Sequence, residues 1–308
     1  MKKYKIACVQ ATPILFNKAK TLKKAVGYIE KAASKNIRLL VFPESFIPAY
    51  PAGLGFGTVV GSRTEAGREQ FREYWENSVE VPGEETKVLA KLAKKYKMYL
   101  VMGVTERDIT TKTLYCTLLF FGPNGSLLGK HRKLKPTAAE RLIWGEGDGT
   151  SLVSFDTELG KLGGLICWEN YMPLARMAMY QKGVEIYLAP TADARDSWTA
   201  TMIHIAMEGR CYVVGCNQYF TKQDYPEQLQ PYLAEDRPEV LCRGGSIIVS
   251  PLGKVLAGPL YGEEGLLEAE VDLDEGVRSR MDFDPAGHYN REDVFELKVN
   301  GQPEIRKG

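Results

Sequence analysis

The chain has 308 residues, 44% of them hydrophobic and 26% charged, with a net charge of +1. That balance excludes a disordered polymer and supplies no electrostatic pull toward nucleic acid or an anionic membrane. A chain of this length buries roughly 75% of its unfolded surface, so it needs no disulfide or metal staple.

The pattern reads as alternating strands and helices. Tyr4–Gln10 is an apolar strand, preceded by a basic Met1-Lys2-Lys3 and too short for a signal peptide. Residues 17–35 place Leu22, Ala25, Ile29 and Ala32 near helical spacing, with lysines on the other face. Residues 37–42 form a nearly continuous apolar run, the mark of a strand covered on both faces, and stop at Pro43-Glu44. Residues 48–57 are too rich in Gly and Pro for regular structure and read as a loop. Helices are predicted over Glu65–Asn77 and Glu84–Tyr96, then strands over 98–105 and Leu114–Phe121. Gly122-Pro123-Asn124-Gly125 is hairpin-turn chemistry, and residues 126–133 return as a strand.

The second half repeats this order. Residues 162–167 read as a strand ending on Cys167, and 173–182 as a helix with Pro173 in its first turn. A strand at 184–189, a helix over Asp196–Gly209 and a strand at 211–217 follow. Residues 221–239 are polar and read as a long surface loop. A hairpin joins 245–250 to 254–258, and Gly265–Val271 is the last strand. Residues 35–44 can be laid on 182–191, each running from a helix end through an apolar strand to a proline. Residues 122–128 similarly resemble 250–256. The expectation is one α/β domain over residues 1–285, built of two similar halves, with a polar tail at 286–308. Between the two copies, Glu44 stands where the second has Thr191.

The six cysteines include no C-x-x-C pair and only three histidines accompany them, so neither a zinc site nor another cofactor is expected. Free thiols on apolar strands fit a reducing compartment, and no 18-residue apolar run exists, so the expectation is a cytoplasmic protein. Four polar groups fall at strand ends or just beyond: Glu44, Lys133, Glu140 and Cys167. In α/β sheets such positions converge on one site. A thiol needs a base or a nearby cation to act as a nucleophile; a carboxylate and an ammonium supply both. Each residue also has an ordinary reading. Cys167 fits a small core thiol, Glu44 a surface turn, Lys133 a solvated basic loop, and Glu140 a partner of Arg141 or Lys135. Gly145-Glu146-Gly147-Asp148-Gly149 lacks the lysine of a phosphate loop and reads as a tight turn. Lys91, Lys94, Lys95 and Lys97 read as a solvated helix face, and His204 and His288 as structural.

Taken together, the motifs carry a resemblance. Phe42-Pro43-Glu44, Lys130-His131-Arg132-Lys133-Leu134-Lys135-Pro136-Thr137 with Glu140-Arg141, and Cys167-Trp168-Glu169-Asn170 with Pro173 resemble the nitrilase superfamily, and within it the true nitrilase branch. Residues 189–196 and Gly287-His288-Tyr289 match as well. The resemblance implies a four-layer α-β-β-α sandwich. It implies Cys167 as nucleophile, Glu44 as general base, Lys133 with the Trp168 N–H stabilising developing charge, and Glu140 in support. It further implies a small organic nitrile and water as reactants, and a homodimer or larger homo-oligomer. The methionine-rich helix after Cys167, with Leu174, Met177, Ala178 and Met179, reads either as a partner face or as core. Tyr50, Trp168, Thr191 and Trp198 are the candidate pocket residues, and the loops at 48–61 and 221–239 are expected to decide which nitrile fits.

Overall fold

The computed structural model describes residues 3–302; the first two residues and 303–308, the end of the expected tail, lie outside the description. The first half contains β1 (Tyr4–Gln10), α1 (Lys18–Ser34), β2 (Ile37–Val41), the small hairpin β3 (Thr58–Val59) and β4 (Ser62–Arg63), α2 (Glu65–Asn77), α3 (Glu84–Tyr96), β5 (Tyr99–Arg107), β6 (Leu114–Phe121) and β7 (Leu127–Arg132). The second contains β8 (Ser154–Phe155), β9 (Leu162–Gly164), α4 (Pro173–Gln181), β10 (Ile186–Pro190), α5 (Asp196–Gly209), β11 (Tyr212–Cys216), β12 (Tyr219–Thr221), β13 (Val240–Val249), β14 (Val255–Tyr261), β15 (Gly265–Val271) and α6 (Leu273–Ser279).

The strands form two large sheets, ordered β15-β1-β2-β5-β6-β7 and β12-β13-β11-β10-β9-β8, with β14 also on β13. The halves match strand for strand. In β1-β2-β5-β6-β7 two parallel pairings are followed by two antiparallel ones. The run β9-β10-β11-β13-β14 has the same directions in the same order. The expected repeat is therefore a repeat of topology.

Strand alternation builds the layers. Along β2, Leu39 and Val41 face one side while Leu40 faces the other. The second side is covered by Ala25, Ile29 and Ala32 of α1 and by Leu89 and Ala93 of α3. Along β10, Ile186 and Leu188 face the first sheet, while Tyr187 and Ala189 meet Ala175 and Met179 of α4 and Met202, Ile205 and Ala206 of α5. Three buried clusters thus separate four layers, helix–sheet–sheet–helix, as expected of the α-β-β-α sandwich.

The structure departs from the sequence reading in places. The strand expected to reach Cys167 ends at Gly164. Cys167 has φ of +51°, which no strand accommodates, and it opens a 3₁₀ turn over Cys167–Tyr171. The segment at 221–239 is not wholly superficial, since Tyr225 and Leu229 are buried in the central core. In the methionine-rich helix, Ala178 and Met179 face the core while Leu174 is 69% exposed.

Candidate active site

Glu44 lies three residues beyond Val41, the last residue of β2, and its side chain is fully buried. The chain turns sharply there: Ser45 has φ of +47°. The turn is pinned by Ser45 Oγ, 2.5 Å from Thr105 Oγ1, and by Tyr74, whose hydroxyl donates to the Ala49 carbonyl at 2.9 Å. Gly103 on β5 is required beside it, because a Cβ at that position would stand 1.9 Å from the Pro43 carbonyl oxygen. The Glu44 carboxylate accepts from Lys133 Nζ at 2.7 Å and from the Ala192 N–H at 3.1 Å. Its backbone carbonyl accepts from the Gln218 amide.

Lys133 follows β7 directly, and its side chain is completely buried. Nζ donates at 2.7 Å to Glu44 and at 2.7 Å to Glu140. Glu140 sits in a short 3₁₀ helix, Ala138–Leu142, where its carboxylate also accepts from the Thr137 N–H at 2.6 Å and from the Tyr50 hydroxyl at 2.8 Å. The Trp144 ring lies edge-on to Tyr50, with centroids 5.7 Å apart, and 5.9 Å from Nζ. An ammonium buried without carboxylates would be strongly destabilising; with two it is held in one geometry.

Cys167 reaches the same place from the second sheet. Gly164 lets β9 lie close against β10: a Cβ there would be 2.0 Å from the Leu188 carbonyl oxygen. The Asn170 amide then ties the turn by donating to the carbonyls of Leu165 and Cys167, while its oxygen accepts from the Tyr187 hydroxyl at 2.8 Å. The Thr191 hydroxyl donates to Cys167 Sγ at 3.1 Å. Trp168 is the second residue of the 3₁₀ turn, so its N–H stands outside the helical ladder, free to donate to a bound group.

Burial sets the electrostatics. It raises the Glu44 carboxyl above the ordinary glutamate value; Lys133 opposes this, the Glu140 charge adds to it, and hydrogen bonds from Lys133 and Cys167 oppose it again. Burial lowers the Lys133 ammonium, but the Glu44 charge leads several interactions that more than offset it, and the group stays protonated. Burial, then the Glu44 charge, pushes the Cys167 thiol up, against Lys133 and the Thr191 hydrogen bond. The sulfur at rest is therefore a thiol with a carboxylate base beside it, and deprotonation must accompany attack. The arrangement can deliver a sulfur nucleophile, accept its proton, and place a fixed positive charge by the atom that becomes negative.

Of the sequence-derived candidates, Glu44, Lys133, Glu140 and Cys167 come together, joined by Tyr50 through Glu140 and by Thr191 through the sulfur. Trp168 stands beside them, 41% exposed, its indole N–H donating to Asp193 at 2.9 Å and the Arg195 guanidinium 4.7 Å from its ring. Trp198 is not brought to this group. It is buried in the α5–sheet core, and its ring contact is with Tyr171. The two loops do pack together: the Ala234 N–H donates to the Gly53 carbonyl at 3.1 Å and the Tyr225 hydroxyl to that of Ala52 at 2.5 Å. Sequence reasoning missed Cys116, whose thiol is 3.5 Å from Glu44 Oε1, because a cysteine inside an apolar strand carries no signal of what it faces. It also missed His131, paired with Glu169, although both lie inside the quoted motifs. Among the described residues, no group of three or more His, Cys, Asp or Glu side chains could hold a metal ion.

A buried thiol flanked by a carboxylate and an ammonium, on a doubled α/β sandwich, defines a class of thiol-dependent hydrolases. The chain belongs to the carbon-nitrogen hydrolase family, which residues 5–280 match, and within it to the nitrilase branch. It is 52% identical over 301 residues to the bifunctional nitrilase/nitrile hydratase NIT4A of Lupinus angustifolius, covering 96% of this chain and 85% of that protein. It is 50% identical to the aliphatic nitrilase of Sinorhizobium fredii, covering 98% and 97%. Among solved structures, Saccharomyces cerevisiae Nit3 aligns with a TM-score of 0.73 and 26% identity, covering 96% of this chain and 97% of that one.

Proposed function

We propose that the protein hydrolyses an organic nitrile to the carboxylic acid and ammonia through a covalent intermediate on Cys167. The observation that carries the reading is the convergence of Glu44, Lys133 and Cys167 in one buried cleft, with Trp168-Glu169-Asn170 following the thiol. Glu44 takes the thiol proton as sulfur attacks the nitrile carbon, and that proton ends on nitrogen, giving a thioimidate. Lys133 and the Trp168 N–H hold the charge that develops. Water, deprotonated by Glu44, adds to the carbon, and ammonia leaves to give a thioester. A second water displaces the sulfur, so one nitrile and two waters give one acid and one ammonia. Glu140 holds Lys133 in place and Tyr50 holds Glu140.

Identity of about half to curated nitrilases over nearly the whole chain supports nitrile as substrate rather than an amide or carbamoyl compound. The relatives described as bifunctional nitrilase/nitrile hydratase favour one addition: collapse of the water adduct with loss of sulfur instead of nitrogen would release amide. The test is ammonia and amide release from a panel of aliphatic and aromatic nitriles. Cys167→Ala should lose several powers of ten in turnover, each about 1.4 kcal/mol of barrier. Comparable turnover in the alanine variant would sink the assignment.

We further read one catalytic domain through residue 285, working in the cytoplasm with no metal or organic cofactor. All six cysteines are free and buried, which fits a reducing compartment, and among the described residues no helix is long and apolar enough to cross a membrane. We also read a homo-oligomer. Its support is an apolar groove of about 730 Å³ between Leu174 and Met177 of α4 and the segment from Phe283 to Lys298. Light scattering that finds a monomer at micromolar concentration refutes it.

A further inference from the structure

We propose that His131 and Glu169 act as one positioning unit, a buried imidazolium–carboxylate pair that sets the separation between the Lys133 and Cys167 loops. The inference rests on the nucleophile assignment above. Neither side chain is hydrogen-bonded to the Cys167 sulfur or the Lys133 ammonium; they act through the backbone.

The geometry is specific. Glu169 Oε1 accepts from the Leu134 N–H at 2.6 Å, and Oε2 accepts from the Ile166 N–H at 2.6 Å. Leu134 follows Lys133, and Ile166 precedes Cys167. One carboxylate therefore grips the two catalytic loops, which arise from opposite sheets, each one residue from its working side chain. His131 Nε2 closes the arrangement at 2.9 Å from Oε2 and 3.1 Å from Oε1. Both side chains are essentially excluded from solvent.

The partners dictate the protonation. Each carboxylate oxygen receives a backbone N–H and faces the imidazole, which is the pattern of an ionised group. A buried carboxylate needs a paired cation. His131 Nδ1 lies 2.8 Å from the Ser151 carbonyl, an acceptor only, so Nδ1 carries hydrogen. The Ser151 hydroxyl, 3.3 Å away, is free to accept as well. Nε2 faces the carboxylate, so it carries hydrogen too, and the ring is an imidazolium. Burial works against that charge, but Glu169, the charge facing the ring, outweighs it and raises the imidazole above its ordinary value.

The test uses the whole protein. Its three histidines give three sets of ¹⁵N signals; His204→Gln and His288→Gln, both at exposed positions, each remove one set, and the set that remains in both is His131. In the wild type at pH 7 both His131 nitrogens should be protonated; a neutral ring overturns the proposal. Glu169→Gln turns an amide donor toward one of the two backbone N–H groups, and His131→Gln keeps a donor but removes the charge. Each should lower kcat about 100-fold with KM within about threefold, since a misplacement near 1 Å costs about that much. Alkylation of Cys167 by iodoacetamide, read by mass spectrometry, should slow in parallel, and the double variant should be no slower than the slower single one. Folded variants with kcat within threefold of wild type, or single losses that multiply in the double variant, overturn it. The ring protonation is read on wild-type protein, so a variant that fails to fold leaves the question decidable. The ¹⁵N and alkylation measurements need no nitrile, so this pair is judged separately from the substrate.

Discussion

Lys133→Met removes the charge on which two buried carboxylates depend while nearly conserving side-chain length. In the wild type Nζ makes two bonds of 2.7 Å, to Glu44 and Glu140, with all three groups buried. Losing one partner of such a buried set costs about 3–5 kcal/mol, because the remaining charges are left uncompensated. The deficit should depend on pH. Burial already holds the Glu44 carboxyl above its ordinary value, and removing the ammonium takes away the charge that opposes this, so the folded variant binds more protons than the unfolded chain and its stability falls as pH rises. Urea denaturation at pH 5 and pH 8 should therefore show a smaller loss at pH 5. Adding Glu140→Gln removes one of the two stranded charges and should restore part of the stability. It should not restore turnover, because the charge facing the developing anion is still missing, a loss of about 10²–10³ in rate. A Lys133→Met protein within 1 kcal/mol of wild type, or turning over within tenfold of it, would refute the picture of Lys133 as the charge that organises the cleft.

Glu44 must be ionised to act as a base, and burial raises its carboxyl above 4.5. The acid limb of kcat/KM should accordingly lie above that value, and an acid limb at or below it would contradict the general-base role. Thr191→Val deletes the 3.1 Å bond to the sulfur and strands the Asp193 N–H, which donates to the same hydroxyl at 2.9 Å. The expected result is a loss of about 1–3 kcal/mol in stability and slower alkylation of Cys167; an unchanged alkylation rate would show that the bond does nothing for the thiolate. Gly164→Ala forces a Cβ to within 2.0 Å of the Leu188 carbonyl oxygen, so β9 must part from β10. Overpacking of this kind costs about 1–3 kcal/mol or more, and a melting temperature equal to wild type would mean the strands can separate freely. Tyr50→Phe removes the 2.8 Å bond to Glu140 and should cost about 1 kcal/mol with a modest fall in kcat; a rise in kcat would overturn its supporting role.

The sequence by itself determined the elements and the chemistry on offer. The apolar runs at 37–42 and 184–189 specify doubly covered strands, because residues alternating across a strand must each find an apolar neighbour. The helical spacing of Ala25, Ile29 and Ala32 specifies the buried stripe of α1, which the structure shows under the same residues. The repeat between the halves was legible because each half solves the same packing problem with the same order of strands. The site was legible because the motifs around Glu44, Lys133 and Cys167, taken together, carry the resemblance to the nitrilase superfamily.

Only the tertiary structure decided how these groups meet. Cys167 was expected at a strand tip, yet a left-handed backbone and two bonds from Asn170 place it in a turn, and no local propensity encodes that. Trp198 carries the composition of a pocket residue and lies in the helix core, because α5 presents that face to the sheet. Tyr225 looks polar-loop in sequence and is buried against Ala52, a contact 173 residues away along the chain. Cys116 and the His131–Glu169 pair depend in the same way on partners from distant segments. A side chain's periodicity reports which way it points, whereas its hydrogen-bond partner is fixed by how two sheets are laid face to face, and that registration exists only once the sandwich has closed.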